Sequence, residues 1–192
     1  MAFDFLKREP ETMEEMLHAI ETISVRTADF WKSAHGWAPK EAADLLSRSR
    51  LDWLVSFNRT LKARVQEVID NPDEPAVIIL AWAHLRTLVE GHLKLFLAVF
   101  LKDYLADAHA PLKKGTVIVP DALQYEAIKQ FLIQRSLLVD HHVFIGTVQQ
   151  RGNAIHAFAD RPIGTAVEYL EHVTLYREFL ADVEAALPNP YT

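Results

Sequence analysis

AVIILAWAHLRTLVEGHLKLFLAVFLKDYL, residues Ala76–Leu105, is the stretch whose reading decides the fold. It is apolar around most of a helical circumference, and a helix of that kind sits at the centre of a bundle or in a bilayer. His84, Arg86, Glu90, His92 and Lys94 interrupt it. No run reaches the ~18 uncharged residues that a membrane span needs. The segment therefore predicts a long buried helix of a soluble protein, from about Glu74 to Asp107, with no membrane contact.

Outward from this centre, apolar spacing is helical almost everywhere. Met13, Met16, Leu17, Ile20, Ile23, Phe30 and Trp31 recur at three- and four-residue steps. SAHGWAP (Ser33–Pro39) breaks the chain, and Pro39 suits the first turn of a second helix. That helix is expected to bury Leu46, Trp53, Phe57, Leu61 and Val65 and to run to about Ile69, where DNPDEP stops it. Ala108–Val119 is the longest connection, and Thr116–Val119 within it suits either a short strand or an ordered loop. Pro120 and Asp121 open a fourth helix, a fifth covers about Leu138 to Phe158, and Asp160 is a plausible N-cap for the last. In that last helix Ile163, Val167, Leu170, Val173, Tyr176, Leu180, Val183 and Leu187 form the expected apolar stripe. The expected fold is all-α: a helical bundle of about five to six helices with a long buried central helix, in a single domain over residues 1–192. Residues 1–70 would form an N-terminal helical pair extending a bundle over 75–187.

The 192 residues include no cysteine, which excludes disulfides and thiolate metal sites. The N-terminus, MAFDFLKREPETMEE, lacks the apolar core and cleavage site of a signal peptide, so a cytoplasmic location is expected. Net charge is −6, against sequence-blind coating of nucleic acid. The charge is uneven. Leu45–Gln66 carries Arg48, Arg50, Arg59, Lys62 and Arg64 against Asp52, a net +4, whereas Met1–Phe30 carries −4. The basic tract is either a solvated helix face or a surface that meets phosphate.

Nine histidines raise the question of a metal. Ligands on one helix need spacings of three or four, as in HExxH, and no such motif occurs. Glu90 and His92 lie about 200° apart on a helix, and Asp140, His141 and His142 splay by about 100° each. No metal and no cofactor are expected, although an inter-helix site joining His92 to His141 or His142 stays open. Nucleophile elbows and phosphate loops are equally absent.

One segment is chemically pointed: Gln149–Phe158, QQRGNAIHAF. On a straight helix Arg151 and His156 diverge by about 140°, whereas Gln149, Gly152, Asn153 and His156 share a face. Gly152 costs about 1 kcal/mol relative to alanine in a helix interior. Such a glycine marks a close approach of another group. Shared chemistry of Arg151 and His156 needs a break near Gly152, a long reach by the arginine, or a second protomer.

A helical bundle with a long central helix, HLRTLVEGHLKLFL (His84–Leu97), followed by a late helix bearing R-x-N-x-x-H, resembles the HEPN superfamily, whose signature is Arg, four to six residues, then His. The resemblance covers roughly Pro75–Leu187. Members usually carry a polar residue directly after the arginine, whereas here Gly152 stands there and Asn153 follows. For active members the resemblance implies metal-independent RNA cleavage. His156 would be general base or general acid, Arg151 would hold the scissile phosphate, and Asn153 would orient the imidazole or touch phosphate. It also implies a homodimer with both motifs at the two-fold interface, and a toxin or defence role with an antitoxin partner. Arg48, Arg50, Arg59 and Lys62 would be the second place for RNA contacts. Two other readings stand beside this one: a HEPN-like module that binds nucleotide or protein without catalysis, and an unrelated bundle with a metal site.

Overall fold

The computed structural model describes residues 12–156 and 160–188. Eight α-helices and one two-stranded hairpin make up the described chain, so the protein is all-α with more helices than the sequence suggests.

The first helix, α1 (Met13–Lys32), begins where Thr12 and Glu15 form a reciprocal capping box, each side chain accepting the other's backbone N–H at 3.2 Å. After the Ser33–Pro39 break, α2 (Lys40–Arg48) is short. The expected single helix from Pro39 to Ile69 is interrupted at Ser49, whose backbone is extended and whose hydroxyl donates to the Leu45 carbonyl at 2.8 Å. A new helix, α3 (Leu51–Asp70), follows. Leu46, Leu61 and Val65 are buried as expected, and Leu51, Asn58 and Val68 join them. Trp53 and Phe57, also expected in the core, stand 56% and 43% exposed.

The central helix α4 (Pro75–Val99) starts with Pro75 in its first turn, where the missing N–H costs nothing. It packs against α2, α3, α7 and α8. Thirteen of its 25 residues are buried, among them Trp82, Leu85, Leu88 and Leu93. It is only partly enclosed, because Leu80 and Thr87 reach solvent. By length and composition it is the one described helix apolar enough to cross a membrane. It ends at Val99 rather than Asp107, with Phe100 as its C-cap, and α5 (Leu101–Ala106) follows.

The long connection contains an antiparallel hairpin, β1 (Leu112–Lys113) with β2 (Thr116–Val117). Lys114 and Gly115 both have positive φ, at 53° and 80°, as a two-residue hairpin turn requires. Tyr104 anchors the return strand by donating to the Ile118 carbonyl at 2.6 Å. Then come α6 (Tyr125–Gln134), α7 (His142–Gly152) and α8 (Ala166–Ala186). The last helix starts later than Asp160 would have it. Thr165 is its N-cap, accepting from the Glu168 N–H at 3.1 Å. Val167 is 65% exposed, Ile163 precedes the helix, and Tyr169 and Phe179 take buried positions instead.

Four helices meet at a buried polar network. The Asn58 amide donates to the Ser24 hydroxyl at 2.8 Å and to the Leu54 carbonyl at 3.1 Å, and its oxygen accepts from Tyr176 at 2.8 Å. The Tyr176 oxygen lies 3.3 Å from Nδ1 of His92, which donates to the Leu88 carbonyl at 2.9 Å. Burial pushes the His92 imidazole down to about 4. The unfolded chain, with His92 near 6.5, therefore binds a proton that the folded chain refuses between these values. Stability is expected to fall as pH drops from about 6.5 toward 4, by up to about 3 kcal/mol from this group. Urea midpoints at pH 7 and pH 5 check it: His92→Gln should lose part of the pH dependence. An unchanged dependence would remove His92 as its source.

Candidate functional site

The Arg151–His156 segment closes α7. The α-helix ends at Gly152, a single 3-10 turn spans Asn153–Ile155, and His156 leaves it at φ −82°, ψ 71°. A straight helix through His156, with its Asn153–His156 face, is thus replaced by a break at the glycine. The cause of the glycine is visible in its neighbour. A Cβ on Gly152 would stand 2.6 Å from both Cβ and Cδ of Arg86, so the α4 arginine stem lies directly on the α7 backbone. The Arg86 guanidinium carbon sits 5.2 Å from the Tyr125 ring centre, against its face.

Arg151 points at the start of α8. Its Nε and Nη2 donate to the Glu168 carboxylate at 2.9–3.1 Å, and Nη1 donates to the Pro162 carbonyl at 3.0 Å. The side chains are 19% and 26% exposed. This forked geometry matches guanidinium to carboxylate and commits most of the donors of Arg151. Gly164, at φ 73°, makes room for the pair: a Cβ there would meet Glu168 Oε2 at 2.5 Å and Arg151 Nε at 3.1 Å. Arg151 thus holds the 160–165 segment against the α8 N-terminus.

His156 is exposed, and its imidazole makes no hydrogen bond to any described residue. The expected helix reached Phe158, which lies outside the described residues. Asn153 lines a polar cleft of ≈ 480 Å³ together with Glu126, Lys129, Gln149, Gln150 and Arg161. Inside it Lys129 donates to Gln149 at 2.6 Å and pairs with Glu126 at 2.8 Å. Hydrogen bonds from Lys129, Gln130 and Gln149 hold the Glu126 carboxyl down to about 2. Pro162 connects the two: Arg151 binds its carbonyl, and Pro162 lines the cleft together with Asn153.

No family model, characterised protein or solved structure matches the chain.

The basic tract is distributed differently from a single phosphate-binding face. Arg59 pairs with Glu21 at 3.0 Å and Lys62 with Glu14 at 2.7 Å, both acids on α1. Arg50 grips Asp52 and lies 3.9 Å over the Trp53 ring. Arg48 has no ion pair with a described residue. The positive tract and the negative N-terminal stretch thus face each other across the α1–α3 contact. The three histidines considered for an inter-helix metal are engaged separately: His92 in the core network, His141 with Asp182 at 2.8 Å, and His142 with the Leu137 carbonyl at 2.8 Å. Among the described residues no three His, Asp or Glu side chains gather as a metal site would need.

Glu168 was the residue to find. Its signal was the Thr165-x-x-Glu168 spacing, a capping pattern that sets the helix start and places the carboxylate in its first turn.

Two substitutions probe this geometry. Arg151→Lys keeps the charge but loses the fork, and should cost about 1–3 kcal/mol in urea unfolding, with faster hydrogen exchange over 160–165. Gly152→Ala should lower the melting temperature, since the ~1 kcal/mol gain in helix propensity is outweighed by overpacking against Arg86 of about 1–3 kcal/mol. A raised melting temperature would show that Arg86 yields freely.

Proposed function

We propose that this is a HEPN-like domain that binds RNA at the cleft beside Asn153 and does not cleave it. The observation that carries this reading is the Arg151–Glu168 ion pair. A guanidinium held on a carboxylate at 2.9–3.1 Å has no open fork for a scissile phosphate. The cleft next to it offers Arg161 and the amides of Gln150 and Asn153, groups suited to phosphate and to base edges, while Lys129 and Gln149 offset the Glu126 carboxylate that shares the lining. With net charge −6, such binding is local and sensitive to salt.

Pairing of two copies is part of the same reading. On α7, Val143 is 83% exposed, and a Cβ on Gly146 would meet open space. This open surface on the motif helix, where Gly146 also borders the cleft, leaves room for a second copy at the cleft edge.

Cleavage is the second reading, and one observation favours it. The helix break after Gly152 leaves the His156 imidazole exposed and without a hydrogen bond to any described residue, as a general acid or base requires. In that reading Glu168 yields Arg151 to the substrate phosphate, and the protein is a ribonuclease of toxin or defence type with an antitoxin partner.

Labelled single-stranded RNAs in EDTA separate these outcomes. The binding reading expects retention without cleavage, weakened roughly tenfold or more by Arg161→Glu and little changed by His156→Ala. The cleaving reading expects products with wild type that vanish with His156→Ala, and growth inhibition relieved by Arg151→Ala. Neither retention nor products would sink both.

A further inference from the structure

A second cavity lies on another face, where the α2–α3 elbow meets α4. Its volume is ≈ 430 Å³, within the range of small-molecule sites. The floor is aliphatic: Leu45, Leu46, Leu51, Leu95 and Ala98 are all at least 95% buried beneath it, with Leu54 along one wall. Gly91 keeps that wall close, because a Cβ there would stand 2.6 Å from Leu54 Cδ1. The rim is mostly cationic, with Arg48, Arg50 and Lys94 against Asp121.

The rim cations differ in their commitments. Arg50 holds Asp52 through Nε at 2.9 Å and Nη2 at 2.6 Å, and Lys94 holds Glu90 at 2.8 Å. Arg48 is exposed and unpaired among the described residues. The N-terminus of α3 opens on the same rim, where the Asp52 carboxylate takes the first amides and offsets their potential, so the charge for a ligand rests with Arg48. A guanidinium with no partner among the described residues, above a hydrocarbon floor, is complementary to one kind of ligand: an aliphatic body ending in a single anionic group.

We propose that this groove binds a small aliphatic anion, with its chain on the leucine floor and its carboxylate or phosphate on Arg48. Aromatic stacking plays no part, because the lining holds no aromatic ring. A polyanion fits the groove poorly. Arg59 and Lys62, which would extend a phosphate track along α3, are already held by Glu21 and Glu14. The proposal goes beyond RNA binding and is independent of it, since the groove and the Asn153 cleft share no residue.

Calorimetric titration of the full chain with hexanoate, octanoate, octyl phosphate and octanol, each below its micellar concentration, tests it. Saturable binding of one ligand per chain is expected, tightening by up to about fourfold for each added methylene, the factor for full burial of a CH₂. The carboxylate and phosphate arms identify the headgroup, and octanol should bind at least tenfold more weakly than the better of them. Arg48→Glu should remove that preference, and Arg48→Gln, which carries no new charge, should weaken the anions while sparing octanol. Should Arg48→Glu fail to fold, Arg48→Gln alone decides. No saturable heat up to millimolar ligand, equal affinity for octanol and octanoate, or unchanged anion binding in Arg48→Gln overturns the proposal. Displacement of octanoate by a short oligouridylate would also overturn it, in favour of a polyanion surface. Loss of RNA binding by Arg161→Glu, with octanoate binding intact, would leave this site standing apart from the other.

Discussion

Asn58 sits where a side-chain amide has no access to water, and two of its three bonds reach other helices while the third returns to its own. Ser24 on α1 and the Leu54 carbonyl on α3 take its hydrogens, and Tyr176 on α8 gives one to its oxygen. A slip of any of these helices by one residue would leave a buried donor or acceptor without a partner, at about 1–3 kcal/mol. Hydrocarbon packing tolerates sliding far better. The leucines of α4 supply the driving force for assembly, and the Asn58–Tyr176–His92 network supplies the register.

Charge is arranged on the same plan, as mutual neutralisation between neighbouring helices. Arg26 reaches Glu184, Arg59 reaches Glu21 and Lys62 reaches Glu14, so α1 is bound electrostatically to both α3 and α8. These contacts are exposed or half-exposed, and each contributes little by itself. Their structural consequence is the exclusion of alternatives. With the acids of α1 turned elsewhere, the basic residues of α3 would repel one another.

The central helix was legible in part: its apolar composition marked it out, thirteen of its 25 residues are buried, and it stops at Val99 rather than Asp107. The break at Ser49 was not legible, since neither glycine nor proline marks it, and Ser49 closes the helix with its own hydroxyl and N–H on the Leu45 and Leu46 carbonyls. Leu46, Leu61 and Val65 are buried as their spacing implied, but Trp53 and Phe57 were misplaced, because the new helix turns Leu51 and Asn58 inward in their stead. At the other end of the chain, Asp160-Arg161-Pro162 carries the usual signs of a helix start, yet the helix waits for Thr165 and Glu168. The candidate site suffered most from this. Arg151, Asn153 and His156 were readable as a motif and Gly152 as a close approach. The partner that engages Arg151 sits seventeen residues on, and only the turn at Gly164 brings it back.

The Arg151–Glu168 pair also couples two properties that otherwise look separate. The guanidinium holds both the first turn of α8 and the Pro162 carbonyl, so the same bonds restrain the 160–165 segment and occupy the motif arginine. Any ligand that takes Arg151 must do so in competition with Glu168, and its apparent affinity is reduced by the fraction of molecules in which the pair is closed. Linkage makes the relation reciprocal: whatever loosens residues 160–165 raises the availability of Arg151, and whatever captures Arg151 loosens residues 160–165 by the same free energy. Protection of that segment is therefore a readout of occupancy at the arginine.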